Sequence, residues 1–253
     1  MRGLTSFQFG VPSTLANCVS GSQGLVRGTP GQAPSFGWSF VWSFVWSFVM
    51  RHPRPAAGLG VTALQRIHNF EQALAIENDP LFNGGDYYGA PHPERGLALA
   101  RMIGHKTFVS LKAMEERARS EVVDRNETGG YVQITNPLES YMWHQGTKLV
   151  RRFDANSYLH ILELWQTFDL LEQAGETSFD ELFKRCREQQ FMVFSIDSDV
   201  CFYPDEQEEL AAALKRAGVP VRRITVHSER GHDAFLLEPE LFAPHLRDSL
   251  GTA

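Results

Sequence analysis

Two short stretches near the C-terminus of the sequence carry side chains that could transfer protons. The stretch GHD is Gly231, His232 and Asp233, and the stretch DSD runs from Asp197 to Asp199. A histidine held by a carboxylate is the second half of a nucleophile–histidine–aspartate triad. Both aspartates lie in one stretch, so local chemistry leaves open which of them would orient His232. An ordinary capped or surface position is the alternative for the histidine.

One arginine lies in a strongly apolar setting further upstream. Arg101 stands in the stretch LALARMI, and a guanidinium among apolar side chains is costly to bury unless an anion pairs with it. A guanidinium can bind a carboxylate through two parallel hydrogen bonds, so Arg101 is a candidate for holding a substrate carboxylate. The alternatives are a buried arginine–glutamate pair and a side chain that extends its charged end to solvent.

The pattern around the aspartate and histidine stretches predicts a parallel sheet. Four segments have the periodicity of regular elements, in the order strand, helix, strand, helix: 190–196, 205–218, 219–227 and 238–250. This order favours parallel strands joined by a crossover helix. Reactive loops collect beyond the C-terminal ends of such strands. We therefore expect Asp199 and His232 to lie together despite a separation of 33 residues.

The residues before this sheet predict helices. The stretch 63–77 repeats an apolar residue every three to four positions, as an amphipathic helix does: Leu64, Ile67, Phe70 and Leu74. Further helical stretches follow: 94–106, 137–153, 156–173 and 178–186. We interpret the helical stretch from about 94 to 187 as a lid or substrate-shaping insertion. We expect structural or solvent-facing positions for the histidines of these helices: His105, His144 and His160.

The first part of the chain differs in composition from the rest. No Asp or Glu occurs before Glu71, and WSFV is repeated three times over Trp38–Val49. The apolar part, Phe36–Met50, has 15 residues, fewer than the roughly 20 that a membrane-spanning helix needs. Three interpretations are open: a truncated or mistranslated front end, an organellar targeting segment, or a real structural element. We divide the chain into an atypical low-complexity segment, 1–60, and a truncated domain, 61–253.

Composition and charge restrict the classes of function. The formal net charge of −6 gives no general attraction to nucleic acid or to anionic membranes, and we expect neither as a partner. The three cysteines, Cys18, Cys186 and Cys201, are widely spaced and odd in number, which argues against a disulfide framework and a zinc site. We expect a cytoplasmic protein with reduced thiols and no bound metal.

Five blocks occur in order along the sequence: NDPLFNGGDYY, GLALARMIGHKTFVS, ESYMWHQGTKLVRRFDANSYL, SDVCFYP and GHDAFLLE. Together they resemble the homoserine O-acetyltransferases, over about residues 63–250. The resemblance implies an α/β-hydrolase fold, a parallel sheet with a helical lid. It also implies acyl transfer from acetyl-CoA to the hydroxyl of L-homoserine, in methionine biosynthesis. No cofactor is expected beyond acetyl-CoA as a co-substrate, and a homodimer is expected.

The resemblance also assigns roles to the candidate residues. On the matching positions, His232 is the general base and Asp199 is the carboxylate that orients it. Asp233 and Arg101 correspond to the residues that hold the amino and carboxylate ends of homoserine. The mechanism implied is a double displacement, in which a serine takes the acyl group from the thioester and then passes it to the homoserine hydroxyl.

The serine nucleophile that the resemblance implies lies in a G-x-S-x-G turn, and no such motif occurs in this sequence. Gly37 and Ser39 match its first half, but Val41 stands where a glycine would permit the tight turn. We therefore expect that the N-terminal half of the fold is missing and that this chain alone has little or no acyltransferase activity. The alternatives are a homoserine or serine O-succinyltransferase, and a non-catalytic fragment or pseudoenzyme.

Overall fold

The structure, a computed structural model, describes residues 47–49, 59–120 and 134–250. The elements in chain order are β1 (Ser47–Val49), α1 (Ala63–Glu77), α2 (Glu94–Phe108), α3 (Leu111–Ser120), α4 (Pro137–Val150), α5 (Ala155–Gln166), α6 (Leu170–Ala174), α7 (Phe179–Lys184), β2 (Phe191–Ile196), α8 (Pro204–Arg216), β3 (Val221–Val226), α9 (Ala234–Leu237) and α10 (Ala243–Leu250). Short 3-10 turns cover Asn83–Gly85 and Pro239–Leu241. Within these ranges, no helix combines the length and the apolar character needed to cross a membrane.

The sheet has the strand order β1–β2–β3. β2 and β3 are parallel and paired along their whole length, and α8 connects them. The parallel pair predicted for 190–196 and 219–227 is therefore confirmed. β1, which comes from the third copy of the WSFV repeat, pairs antiparallel with Phe191–Val193 of β2.

Helices cover both faces of the β2–β3 pair. On one face, Val193 of β2 belongs to a buried apolar cluster with Leu210 and Leu214 of α8. On the other face, Phe194 of β2 belongs to a cluster with Ala234 of α9. All six residues of β2 are buried, which is typical of a parallel strand covered on both sides. The α/β class expected from the sequence is confirmed.

α1 forms where the sequence predicts it, but its apolar side faces outward. Ile67 and Phe70 have 52% and 58% of their surface exposed, whereas Gln65 and Gln72 on the opposite side are buried. The Gln65 amide nitrogen donates a hydrogen bond to the carbonyl of Cys201 at 2.8 Å. Polar partners on the inner side of the helix therefore reverse the orientation that an amphipathic pattern usually indicates.

α2 packs closely against α1 and α4, and a glycine lies at each of the two contacts. A Cβ on Gly96 would lie 2.5 Å from the carbonyl oxygen of Ala75 in α1, and one on Gly146 of α4 would lie 2.8 Å from the carbonyl oxygen of Ala98. Side chains do not approach backbone so closely, so these glycines permit the close packing of the three helices. This packing fixes the position of α2 and of Arg101 on it.

Two of the predicted helices are each divided into two shorter elements. The stretch 156–173 is interrupted because Asp169 caps a new helix, and its carboxylate accepts two backbone hydrogen bonds at the start of α6. The closing helix predicted over 238–250 begins with the 3-10 turn Pro239–Leu241 and continues as α10 only from Ala243.

The division of the chain at residue 60 stays a prediction. Of the segment 1–60, the structure describes 47–49 and 59–60. The helices α2 to α7 do occupy the range in which a lid is expected, and their role as a lid also stays a prediction.

Candidate active site

His232 and Asp199 are in direct contact at the C-terminal edge of the parallel strands. Asp199 lies three residues after β2 ends, and His232 lies six residues after β3 ends. The Nδ1 atom of His232 is 2.7 Å from Oδ2 of Asp199, and both side chains are almost fully buried. The contact expected from the sequence is therefore present.

Asp199 is oriented by backbone amides as well as by the histidine. Its Oδ1 atom accepts hydrogen bonds from the amides of Cys201 and Phe202 at 2.8 and 2.9 Å. These bonds leave Oδ2 for the imidazole of His232, which donates its Nδ1 proton to the carboxylate. The histidine is thereby held in the tautomer whose Nε2 lone pair can accept a proton.

The Nε2 atom of His232 faces no hydrogen-bond partner in the described part of the chain. Three aromatic rings flank the imidazole: those of Phe202, Phe235 and Phe108, at centroid distances of 5.5, 5.6 and 6.3 Å. Buried nitrogens normally find a partner. The unpaired Nε2 is therefore the position at which a reacting proton can be received.

Gly231 lets the histidine loop approach the end of α2. Its φ of 75° is left-handed, and a Cβ there would lie 2.6 Å from the amide nitrogen of Ser110. The Gly231 amide donates to the Ser198 hydroxyl at 3.0 Å, and the Asp233 amide donates to the carbonyl of Phe108 at 2.9 Å. Because glycine accepts this conformation and has no Cβ, the loop is tied both to the aspartate loop and to α2.

Arg101 and Asp233 lie beside the histidine and influence each other's charge. Arg101 is 9% exposed, and its guanidinium carbon lies 5.4 Å from the centroid of the Phe108 ring. Burial lowers the pKa of Arg101 to about 10, although electrostatic interactions with Tyr158 and Asp233 act to raise it. Burial raises the pKa of Asp233, while His232 and Arg101 act in the opposite direction. A buried cation and a partly buried carboxyl group therefore lie close together near the imidazole.

Asp197, the other aspartate of the DSD stretch, binds a different partner. Its carboxylate accepts hydrogen bonds from Nδ1 of His227 at 2.9 Å and from the amide of Ser228 at 3.0 Å. His227 is 82% exposed, so this pair lies on the surface. Of the two aspartates that local chemistry left open, the geometry brings Asp199 to His232.

A buried histidine one turn after Arg101 belongs to the same region. His105 is 3% exposed, and its Nε2 atom lies 2.9 Å from the hydroxyl of Tyr141. Burial, and then the charges of Arg101 and Arg117, lower the pKa of His105 to about 3. The sequence indicated a structural or solvent-facing residue, and the structure shows a buried one. The sequence feature that could have indicated this position is the four-residue spacing between Arg101 and His105, which places both on one face of the helix.

Ser39, the candidate nucleophile, lies outside the described residues. The structure therefore brings together Asp199, His232, Arg101 and Asp233, and it does not test Ser39. The catalytic and substrate-binding roles of all five residues stay predictions.

Comparisons with known proteins identify relatives. No family model matches the chain. A homoserine O-acetyltransferase of Methanococcus vannielii is 39% identical over 165 residues, which is 65% of this chain and 32% of that protein. Those of Haloferax volcanii and Desulfotalea psychrophila are 38% and 37% identical over 75% and 70% of this chain, and the matches cover 46% and 45% of those proteins. The chain thus spans less than half the length of these relatives.

Solved structures show the same fold. A homoserine O-acetyltransferase from Bacillus anthracis superposes with a TM-score of 0.67 at 18% identity, covering 78% of this chain and 52% of that one. Esterase E22 gives 0.66 at 14% identity, with 77% and 52% covered. These similarities support the α/β-hydrolase fold expected for the described residues. The sequence matches show that this chain is similar to homoserine O-acetyltransferases over 65–75% of its length, and the matched residues span less than half the length of those proteins.

Proposed function

We propose that the described residues form the base-bearing and acceptor-binding part of a homoserine O-acetyltransferase site. The reaction is acyl transfer from acetyl-CoA to the hydroxyl of L-homoserine in methionine biosynthesis. The observation that supports it most directly is the contact between His232 and Asp199, which leaves a buried Nε2 without a partner among the described residues. The names of the relatives supply the substrates.

His232 would act as a general base in both halves of the reaction. In the first half, its Nε2 takes the proton of the nucleophile as that group attacks the thioester carbon, and the proton then passes to the departing CoA sulfur. In the second half, Nε2 takes the proton of the homoserine hydroxyl and returns it to the nucleophile when the ester forms. Asp199 stabilises the imidazolium in each half and holds its orientation.

Arg101 and Asp233 would bind the two charged groups of homoserine. The guanidinium of Arg101 pairs with the substrate carboxylate, and the carboxylate of Asp233 pairs with the substrate ammonium. Arg101 is buried and Asp233 is partly buried, and the two charged ends of a zwitterionic amino acid match these two side chains in sign. This arrangement favours an amino acid over water as the acyl acceptor.

We infer a homodimer, supported by the exposed apolar side of α1 and by a groove of about 1140 Å³ lined by α1, α2 and α4. A second copy would remove this apolar surface from water. A cytoplasmic location and a reaction without a bound cofactor or metal complete the proposal.

Titration calorimetry of the full chain with L-homoserine tests the proposed function. We expect binding that Arg101→Gln and Asp233→Asn each weaken by roughly tenfold or more, because each removes one charge-assisted hydrogen bond. Arg95→Gln is the matched control, since Arg95 is exposed on the same helix. Equal affinity of all variants, or no binding of homoserine, would contradict the proposal.

Release of CoA thiol measures turnover in the same samples. We expect little or no release by this chain alone, as the absence of a G-x-S-x-G motif indicates. Succinyl-CoA and L-serine serve as competing substrates. A preference for either of them over acetyl-CoA and homoserine would favour the alternative function, a homoserine or serine O-succinyltransferase.

A further inference from the structure

A chain of hydrogen bonds joins three helices next to Arg101. His105 lies one turn after Arg101 on α2, and its Nε2 atom is 2.9 Å from the hydroxyl of Tyr141 on α4. The same hydroxyl lies 3.5 Å from a guanidinium nitrogen of Arg117 on α3. His105 and Tyr141 are 3% and 0% exposed, so bulk water does not compete for these bonds. The direction of each bond therefore follows from which groups can donate.

The hydrogen bonds run from Arg117 through Tyr141 to His105. A guanidinium only donates, so the Tyr141 oxygen accepts from Arg117 and has one proton of its own to donate. That proton goes to Nε2 of His105, which must then be an unprotonated acceptor. Burial, and then the charges of Arg101 and Arg117, lower the pKa of His105 to about 3. The ring is therefore neutral near pH 7, and its single proton lies on Nδ1.

The Nδ1 atom of His105 is buried and has no hydrogen-bond partner among the described residues. Helical side chains lean toward the N-terminus of their helix, so the ring of His105 lies over the turn that carries Arg101. Buried donors normally have an acceptor. The Nδ1–H group is therefore suited to an acceptor that arrives beside Arg101.

The charges that act on His105 are positive. Among the described groups, Arg101 and Arg117 shift its pKa through their charge, and the same two guanidiniums act on the carboxyl group of Asp233. Asp233 does not supply the acceptor, because Nδ1 of His105 bonds to no described residue. An N–H donor in the field of two cations favours an anion as its partner.

We propose that His105 is a second carboxylate-binding residue beside Arg101. Its Nδ1–H group donates to one oxygen of a bound carboxylate, and the guanidinium of Arg101 pairs with the other oxygen. Tyr141 is then a positioning residue, because its hydroxyl keeps the histidine proton on Nδ1 without touching the ligand. That the carboxylate belongs to homoserine rests on the proposed function, whereas the direction of the hydrogen bonds does not.

Nitrogen chemical shifts of labelled histidine in the full chain test the direction of the hydrogen bonds. We expect His105 to be neutral at pH 7 with its proton on Nδ1. In Tyr141→Phe the Nε2 atom loses its donor, so we expect the proton to move in part to Nε2. A proton on Nε2 of His105 in the unchanged chain would overturn the proposal.

Titration calorimetry with L-homoserine compares two replacements of His105. The amide nitrogen of asparagine lies close to the position of Nδ1, whereas that of glutamine lies close to the position of Nε2. We expect His105→Asn to keep the affinity within about twofold and His105→Gln to weaken it about fivefold or more, because only the first retains the donor. His160→Gln is the control, since His160 is exposed on α5. Equal affinities of the two His105 variants would overturn the role of Nδ1.

Sodium acetate separates this inference from the proposed function, because it offers a carboxylate without the rest of homoserine. We expect acetate, but not chloride at the same ionic strength, to shift the Nδ1 resonance of His105, and we expect Arg101→Gln to abolish the shift. A shift with acetate in a chain that does not bind homoserine would support the carboxylate site and contradict the proposed function. The absence of a shift with both acetate and homoserine would overturn the carboxylate site.

Discussion

At the scale of single residues, the two carboxylate oxygens of Asp199 bind different partners. One oxygen accepts two backbone amides, and the other accepts the imidazole proton of His232. The carboxylate therefore cannot rotate without breaking bonds on both sides. This fixed acceptor decides which imidazole nitrogen carries the proton.

Asp199→Asn should reverse the tautomer of His232. The asparagine oxygen can still accept the backbone amides, which turns its NH₂ group toward Nδ1 and favours a proton on Nε2 instead. Nitrogen chemical shifts of labelled histidine report the change in the resting protein. Asp197→Asn is the control, because Asp197 contacts His227. An unchanged tautomer in the first variant would show that Asp199 does not set it.

His105 should make the stability of the protein depend on pH. Its pKa of about 3 in the fold lies below the ordinary 6.5, so between these values the unfolded chain binds the proton more readily. The stability is therefore fully present above pH 6.5 and is lost as the pH falls toward 3, by about 2 kcal/mol at pH 5. Urea unfolding at pH 7 and pH 5 measures this loss.

The variant His105→Gln should show a smaller loss of stability between these two pH values. His160→Gln is the control, since His160 is exposed. If His105→Gln loses as much stability on acidification as the unchanged protein, other groups account for the dependence.

At the scale of elements, the histidine loop depends on its contact with the end of α2. Gly231 and Gly175 both have a left-handed φ, of 75° and 64°. A Cβ on Gly231 would strike the backbone of Ser110, whereas one on Gly175 meets nothing within 4 Å. The two glycines therefore have the same conformational requirement but differ in the room that is available for a side chain.

Gly231→Ala should cost more stability than Gly175→Ala. Both variants carry the conformational cost of about 1 kcal/mol for alanine in the left-handed region. Gly231→Ala adds the displacement of the loop from α2, so we expect a total of roughly 2–4 kcal/mol. Urea unfolding compares the two. Equal losses would mean that the loop adjusts without cost.

At the scale of the whole molecule, the strands and the aspartate–histidine contact were predictable because they depend on local patterns. A short apolar run predicted β2 and an alternating pattern predicted β3, and the parallel order of the two strands placed Asp199 near His232. The outward face of α1 was not predictable, since it depends on polar partners far along the chain, such as the Cys201 carbonyl. The pairing of His105 with Tyr141 likewise joins separate helices.

Phe70→Glu tests the proposed homodimer. The ring is 58% exposed on α1, so a charge there should cost the folded chain little and should prevent burial against a second copy. We expect light scattering to show a dimer for the unchanged chain and a monomer for the variant. Leu164→Glu is the control, because Leu164 is exposed on α5. A dimer that survives Phe70→Glu would place the interface elsewhere.

The ring of Phe108 has the guanidinium of Arg101 on one side and the imidazole of His232 on another. The two halves of the candidate site thus have a common wall, made by the last residue of α2. Any replacement at position 108 would disturb both halves together. For such a variant, a change in acceptor affinity and a change in proton transfer could not be measured as separate effects.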